Sequence, residues 1–397
     1  MNTTYDVAVV GNGMFGAAAT RYLSAQGLKV VAIGPSEPAD WHTYNGVFAS
    51  HYDQGRITRI IDAGPVWAQL AARSIEVYPE IEEKSGITFH YRSGGVWIYP
   101  DIPAAMARLG QAEASGQRFA ADYVRLNDRE LTQQFPFLTV PPGAVTLWER
   151  GAAGHINPRS MVQAQLTVAA QQGATILRQT VTGYKRSHGV AELTTDSGQQ
   201  VKAHKVLIAA GSYSNHLLPR PLAMQLKART VLLAELDEKE AQRLHDLTTT
   251  ILWLHDNPVL DSVYSTPAVR YADGKLCIKI GGSRHTPYLL ETPQEFRNWF
   301  QGSGDPVEFE ALHQVLLAMI PNLRAASIAP KPCVVAYTAH NRPYIDCVEA
   351  DQLYVVAGGC GAGAKSCDEI GRIAALLVEH GKWNYELPAE TFAAKWA

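Results

Sequence analysis

The sequence lacks three features that would each define a class of protein. No apolar run approaches the length needed to span a bilayer, the five cysteines are odd in number without C-x-x-C spacing, and no charge block accompanies the net charge of −3. These absences argue against a transmembrane segment, a disulfide framework, a zinc or other metal site, and a nucleic-acid or anionic-membrane partner. The start of the chain has no basic segment or cleavable apolar region, so we expect a cytoplasmic protein with a small-molecule ligand.

What the sequence does contain is a glycine-rich turn directly after an apolar strand. Residues 5–10 read as the strand, and Gly11, Gly13 and Gly16 follow as G-x-G-x-x-G at the start of an amphipathic helix. The first glycine permits a sharp turn, the second lets backbone approach a pyrophosphate, and the third allows close packing of helix on strand. We therefore predict a dinucleotide site here.

The whole chain has 397 residues with 46% hydrophobic composition, which predicts roughly two domains. The order of its predicted helices and strands indicates α/β class. A second strand at 29–33 is followed by a long polar loop at 34–59, and long loops are often functional. Helical spacing indicates a helix over 64–84, and Asn157-Pro158 is typical of a helix start. Short strands separated by turns across 230–280 favour an antiparallel sheet over the substrate.

A second glycine-rich turn, at 358–365, leads towards a helix with an apolar stripe near the end of the chain. Two interpretations are open. The turn can face a flavin ring, where a helix N-terminus stabilises negative charge, or its glycines can simply shape a tight turn.

The chain resembles the D-amino-acid oxidase-like superfamily of FAD enzymes, nearest the branch of monomeric sarcosine oxidase, N-methyltryptophan oxidase and glycine oxidase. The motifs that carry the resemblance are YDVAVVGNGMFGAAATRYLSAQG, GRITRII, HINPRSMVQA, KVLIAAGSYS, KLCIKIGG and VVAGGCGAGAKS, in that order. It implies a Rossmann-like FAD-binding domain formed by 1–86, 151–217 and 330–397, and an antiparallel-sheet substrate domain formed by 87–150 and 218–329.

The resemblance also implies an activity and a set of cofactor contacts. The activity is oxidation of a small amine or amino acid by hydride transfer to flavin N5, with oxygen reoxidising the flavin and releasing hydrogen peroxide. Gly34 stands where dinucleotide sites usually place an acidic residue for the ribose, so Ser36 or Glu37 is expected to substitute. The implied FAD contacts are Gly11, Gly13, Met14, Phe15, Gly16, Ser36, Ser50, Arg56, Thr58, Arg59, Val181, Ala210, Gly211, Gly359, Gly361, Ala362, Gly363, Ala364 and Lys365.

Four residues take implied roles in catalysis. Lys279 matches a lysine that promotes reaction of the reduced flavin with oxygen, although strand alternation alone would place it on a solvated face with Cys277. Lys365 matches a lysine that binds the substrate carboxylate. Asp62 occupies the position of the second carboxylate ligand, an arginine in the family, so a simple amino acid would be repelled. Two alternatives are open: the substrate carries an extra amino group, or its carboxylate is held elsewhere. Tyr337 is a candidate wall of the active site.

Covalent attachment of FAD depends on Cys333. The family's tether cysteine lies two residues before a Tyr-Thr pair, whereas Cys333 lies four residues before Tyr337. We expect non-covalent FAD, with a tether at Cys333 as the alternative. Two other functions are open: an FAD dehydrogenase of a hydroxy acid or amine that uses a quinone or protein acceptor, and a flavin-binding partner protein with a degraded substrate site.

Overall fold

The computed structural model describes residues 3–187, 189–350 and 352–397. The helix predicted over 64–84 is present as Pro65–Ser85. The helix predicted to start at Asn157-Pro158 is also present, and the Asn157 side chain accepts a hydrogen bond from the Ser160 N–H at its start. The helices are α1 Met14–Ala25, α2 Pro65–Ser85, α3 Pro103–Arg118, α4 Asp128–Gln134, α5 Pro158–Gln171, α6 Glu238–Arg243, α7 Pro293–Gln301, α8 Pro306–Met319 and α9 Cys367–His380.

The strands form three sheets in the described residues. They are β1 Thr4–Val10, β2 Val30–Ile33, β3 Arg56–Thr58, β4 His90–Tyr91, β5 Gly95–Tyr99, β6 Tyr123–Leu126, β7 Val145–Glu149, β8 Gly154–Ile156, β9 Thr175–Leu177, β10 Val181–Ser187, β11 Val190–Thr195, β12 Gln200–Ile208, β13 Met224–Leu236, β14 Thr249–Trp253, β15 Leu260–Arg270, β16 Leu276–Arg284, β17 Tyr288–Leu290, β18 Ala325–Thr338, β19 Tyr344–Glu349 and β20 Leu353–Ala357.

The first sheet has the order β10-β11-β12-β1-β2-β9, and β20 pairs with β12 while β19 pairs with β20. Strand β1 lies parallel to both β12 and β2, and its residues 7–10 are buried because helices cover the sheet. This arrangement places the loop between β1 and α1 at the carboxyl edge of the parallel strands, where ligands of open α/β sheets bind. The predicted α/β class is confirmed.

The second sheet has the order β17-β13-β16-β15-β14-β5-β7-β6, and its pairs are antiparallel except β14 with β5. It includes the strands predicted across 230–280. Strand β18 pairs with β13 from Met224 opposite Thr338 to Leu236 opposite Ala325. The expected domain boundary at residue 330 therefore lies inside a strand that belongs throughout to this sheet.

A third, small sheet joins β3, β8 and β4. Strand β3 lies inside the segment predicted as one loop over 34–59, because its backbone pairs with β8 far along the chain. The remainder of that loop is anchored by aromatic packing: Phe48 stacks on Phe300 of α7 at 5.0 Å, and Trp41 contacts both rings edge-on.

Three further features concern the classes excluded above. No helix in the described part of the chain is long and apolar enough to cross a membrane. Within the same residues, no cluster of His, Cys, Asp and Glu could hold a metal ion. None of the five cysteines forms a disulfide in the described residues.

Candidate active site

One cavity of about 390 Å³ is lined by residues of both large sheets, a size typical of small-molecule sites. Gly16, Ser36, Thr58, Asp62 and Lys279 are the predicted site residues that do not line it. The predicted residues that do line it are Gly11, Gly13, Met14, Phe15, Ser50, Arg56, Arg59, Val181, Ala210, Gly211, Cys333, Tyr337, Gly359, Gly361, Ala362, Gly363, Ala364 and Lys365.

The first glycine loop has the geometry of an anion cradle. A Cβ on Gly11 would lie 2.3 Å from the Ala209 oxygen and one on Gly16 would lie 1.8 Å from the Gly11 oxygen, so both glycines are required for packing. A Cβ on Gly13 would lie 3.8 Å from His51 Nδ1, an ordinary contact, so this glycine is not required for packing. No side chain caps the start of α1 and no acidic residue lies in its first turn, so its free N–H groups suit a pyrophosphate.

Gly34 is explained by the close approach of the same loop. A Cβ at this position would lie 2.5 Å from the backbone nitrogen of Asn12, so the acidic residue common there has no room. Glu37, the expected substitute, holds Arg159 with both carboxylate oxygens at 2.6 Å. The Ser36 carbonyl accepts a hydrogen bond from the Tyr52 hydroxyl at 3.3 Å. The Glu37 carboxylate is therefore already engaged by Arg159, whereas the Tyr52 contact involves only the backbone of Ser36.

The second glycine loop is a tight turn that lies beside the cavity. Gly358 and Gly361 have φ of +85° and +80°, and a Cβ on Gly358 would lie 2.1 Å from Thr338 Cγ2. The loop is thus a tight turn, and its residues also line the cavity. Helix α9 begins only at Cys367, and its first turn carries two acidic residues of its own, which offset its positive end.

Asp62 lies between two cations at the edge of the cavity. Its Oδ2 is 3.0 Å from Arg59 Nη2 and 3.0 Å from Lys365 Nζ, and its Oδ1 accepts the Gly64 N–H at 2.9 Å. Burial disfavours the charged carboxylate, but Lys365 and Arg59 outweigh burial and hold the pKa of Asp62 below its ordinary value. The two positions expected to hold a substrate carboxylate are occupied by Asp62 and Lys365. These two side chains therefore pair with each other instead.

Sequence reasoning missed Glu149, which positions the segment that carries Arg59 and Asp62. The Glu149 carboxylate is buried and accepts hydrogen bonds from Ile60 N–H at 2.7 Å and Trp97 Nε1–H at 3.0 Å. Burial raises its pKa. The available signal was a charged residue at the end of an apolar strand, β7.

Lys279 is fully buried, so the solvated strand face suggested by alternation does not exist. Its ammonium lies 2.9 Å from Asp53 Oδ2 and donates to the Gly55 carbonyl. Asp53 also pairs with Arg56 and, at 3.7 Å, with Lys331. Burial lowers the pKa of Lys279 to about 8, and Asp53 partly opposes that effect. The single negative charge of Asp53 therefore offsets only part of the positive charge of Lys279, Arg56 and Lys331.

Strand β18 contributes Cys333 and Tyr337 to the cavity wall. Arg56 Nη2 is 3.7 Å from Cys333 Sγ, and a Cβ on Gly361 would lie 3.3 Å from the Tyr337 hydroxyl. A second residue that the sequence did not reveal, Arg229 of β13, lines the same wall beside Tyr337. It is 7% exposed, and its Nη1 has no hydrogen-bond partner.

A parallel sheet with a glycine cradle at α1, joined over one cavity by a second sheet, defines a dinucleotide-cofactor protein of the flavoenzyme type. The family model for FAD dependent oxidoreductases, DAO, matches residues 6–377. The chain belongs to this family, as its motifs suggested. Family membership supports an oxidoreductase enzyme rather than a partner protein with a degraded site.

Individual proteins show the same relationship. The chain is 33% identical over 175 residues to monomeric sarcosine oxidase of Streptomyces avermitilis, a match spanning 44% of this chain and 43% of that protein. It is 24% identical over 381 residues to N-methyl-L-tryptophan oxidase of Yersinia pestis, spanning 94% and 95%. The open form of NikD, an unusual amino acid oxidase essential for nikkomycin biosynthesis, superposes with a TM-score of 0.78 at 19% identity, covering 99% and 98% of the two chains.

Proposed function

We propose that the protein oxidises a small amine or amino acid, with oxygen as the final electron acceptor and hydrogen peroxide as a product. The observation that carries the proposal is a single cavity running from the glycine cradle at α1 to Tyr337 and Lys365, in a chain of an FAD-dependent family. The names of the relatives, a sarcosine oxidase and an N-methyl-L-tryptophan oxidase, support N-methyl amino acids as the substrate class.

The chain offers a fitting site for FAD. The uncapped N–H groups at the start of α1 suit the pyrophosphate, and the missing side chain of Gly13 lets the cofactor approach the backbone. Val181, Ala210 and Gly211 line the cavity on the side of the first sheet, which supports Val181 as a contact on the adenine side and Gly211 as a contact on the pyrophosphate side. When bound, FAD supplies the hydride acceptor for the carbon beside the substrate nitrogen.

The cavity residues favour a neutral amine as the reacting form. No Asp or Glu is found in the described lining of the cavity, whereas Arg229 is, and no carboxylate of the described residues pairs with it. Nearby cations lower the pKa of a bound ammonium group. A substrate would therefore lose its proton on binding without a dedicated side-chain base, and the protein's contribution would be orientation and charge stabilisation.

One observation favours a second candidate, an FAD dehydrogenase that passes electrons to a quinone or a protein. Lys279, the cation assigned to oxygen activation, is paired with Asp53 and does not line the cavity. Pairing reduces the field that a lysine projects towards oxygen.

Anaerobic titration of the FAD-loaded protein tests both candidates. A panel of N-methyl amino acids, simple amines and hydroxy acids is added, and flavin absorbance is followed. We expect bleaching by an amine and rapid recovery on admission of air with formation of peroxide. Bleaching that air does not reverse, but a soluble quinone does, identifies the dehydrogenase. No bleaching by any amine contradicts the proposed substrate class.

A further inference from the structure

The cations in the cavity wall differ in whether a carboxylate already neutralises them. Arg56 pairs with Asp53, and Arg59 and Lys365 both pair with Asp62. Arg229 forms no ion pair within 4.0 Å in the described residues, and its Nη1 is buried without a partner. A buried guanidinium is costly without a close counter-charge, and no carboxylate of the described residues lies within ion-pair distance of Arg229, so this position suits a bound anion.

The surroundings of Arg229 separate it from the pyrophosphate cradle. Arg229 lies on β13 in the second sheet, directly opposite Cys333 of β18, whereas the cradle belongs to the first sheet. Its side chain hydrogen bonds with Tyr337, which faces the second glycine loop. The Glu308 carboxylate interacts electrostatically with Arg229. It accepts a hydrogen bond from the Thr230 N–H at 2.8 Å, however, and does not line the cavity.

We propose that Arg229 binds the carboxylate of the substrate, which makes that substrate an amino acid or N-substituted amino acid rather than a simple amine. This inference rests on the proposed function. A guanidinium presents a planar fork of donors that matches a carboxylate, and the neighbouring Tyr337 hydroxyl adds a further donor. Lys365 cannot take this role as the family pattern suggests, because Asp62 already occupies it.

The test uses the FAD-loaded protein and acetate as a carboxylate probe, with acetamide as a neutral probe of the same shape. Binding is followed by the shift in flavin absorbance. We expect Arg229→Gln to raise the Kd for acetate by at least about tenfold, the loss of a charge-assisted contact, and to leave acetamide unaffected. Arg229→Lys retains the charge and should restore part of the acetate affinity.

A matched control is Lys227→Gln, two residues earlier on the same strand. The Lys227 ammonium lies 4.3 Å from the centre of the Tyr337 ring but does not line the cavity. This variant therefore measures the effect of removing a nearby positive charge that does not contact the acetate. We expect less than a threefold change in Kd for acetate. An equal loss in both variants would show a general field effect and overturn the assignment.

Two further outcomes decide the proposal. Unchanged acetate affinity in Arg229→Gln overturns it, and a loss of bound FAD in both Arg229 variants with folded circular dichroism spectra reassigns Arg229 to the cofactor. Failure of the proposed function is distinct from either. If the wild-type protein binds acetate through Arg229 but no amine bleaches its flavin, the anion site at Arg229 is supported and the proposed amine oxidation is contradicted.

Discussion

Asp62 is the residue at which this chain differs most from its nearest family branch. Where the resemblance expects a cation for the substrate, the protein places a carboxylate that neutralises Arg59 and Lys365. The sequence suggested that Asp62 would attract cationic substrates. With both oxygens engaged, its charge instead cancels that of its neighbours, and the substrate anion must be held elsewhere.

Removing this charge should have two measurable effects. Asp62→Asn leaves two buried cations without their counter-charge, so we expect the free energy of unfolding to fall by about 3 kcal/mol. Acetate should now bind beside Lys365 and stabilise the variant more than the wild type. Urea unfolding with and without acetate measures both, and Asp122→Asn, in the exposed pair with Arg150, should change stability by less than about 1 kcal/mol. Equal acetate effects in variant and wild type would contradict this account.

The proposed role of Lys279 in the oxygen reaction predicts that this reaction depends on pH. Its pKa of about 8 in the folded protein lies below the ordinary 10.5, so the cation is lost as the pH rises through about 8. We expect reoxidation by air to slow above that pH, while anaerobic reduction by substrate does not follow the same titration. By linkage, charged Lys279 costs stability at neutral pH, and the cost disappears as the pH rises from about 8 to 10.5.

Lys279→Met should abolish this pH dependence and slow reoxidation by about tenfold or more, because a fixed cation stabilises the developing superoxide. Stopped-flow measurement of each half-reaction separates the two effects. Lys331→Met removes another cation from the same Asp53 group and should leave reoxidation nearly unchanged. Normal oxygen reactivity in Lys279→Met would favour the dehydrogenase.

At the scale of elements, the crossing of α1 and α9 sets the position of the glycine cradle. Gly371 of α9 lies against α1 so closely that a Cβ would be 2.5 Å from Ala18 Cβ and 2.8 Å from the Ala19 nitrogen. Because the start of α1 is the cradle, displacement of this helix would move the N–H groups that we propose bind the pyrophosphate.

We therefore expect Gly371→Ala to destabilise the protein by about 1–3 kcal/mol through overpacking and to weaken FAD binding. Gly110→Ala is the matched control: Gly110 is exposed within α3 and a Cβ there would meet nothing within 4 Å. That substitution should stabilise the protein by about 0.5–1 kcal/mol. Thermal unfolding and flavin fluorescence titration measure the two effects. Similar behaviour of both variants would show that the helix crossing tolerates expansion.

At the scale of the whole molecule, the two large sheets enclose one cavity that reaches from α1 to β18. A cofactor held along such a length has many contacts and does not require a covalent bond. Because Cys333 lines the cavity, its position does not exclude a covalent bond to FAD. The expectation of a free cofactor rests instead on the four-residue spacing between Cys333 and Tyr337.

The purified protein should be yellow, and acid precipitation should release FAD into the supernatant. Cys333→Ser should release the same fraction of flavin as the wild type. Absorbance of the pellet and supernatant decides the matter. Flavin that remains with the wild-type pellet, but not with the Cys333→Ser pellet, would establish the tether.

The sequence by itself determined the features that depend on neighbours along the chain. The turn at residues 11–16, the helices at 64–84 and after Asn157, and the strands across 230–280 could be predicted, because backbone freedom of glycine, helix capping and hydrophobic periodicity act over a few residues. The family followed from the order of these motifs. The strand β3 was missed because its partner, β8, lies far along the chain.

Only the tertiary structure decided which charges meet. Asp62 contacts Lys365 across 303 positions and Lys279 contacts Asp53 across 226, so neither pair leaves a local pattern. In the sequence, nothing distinguishes Arg229 and Glu149 from other charged residues in apolar strands. Only their burial in the folded protein makes them functional candidates. The physical reason is that electrostatic energy depends on distance through space and on exclusion of water, and both are set by how the sheets pack.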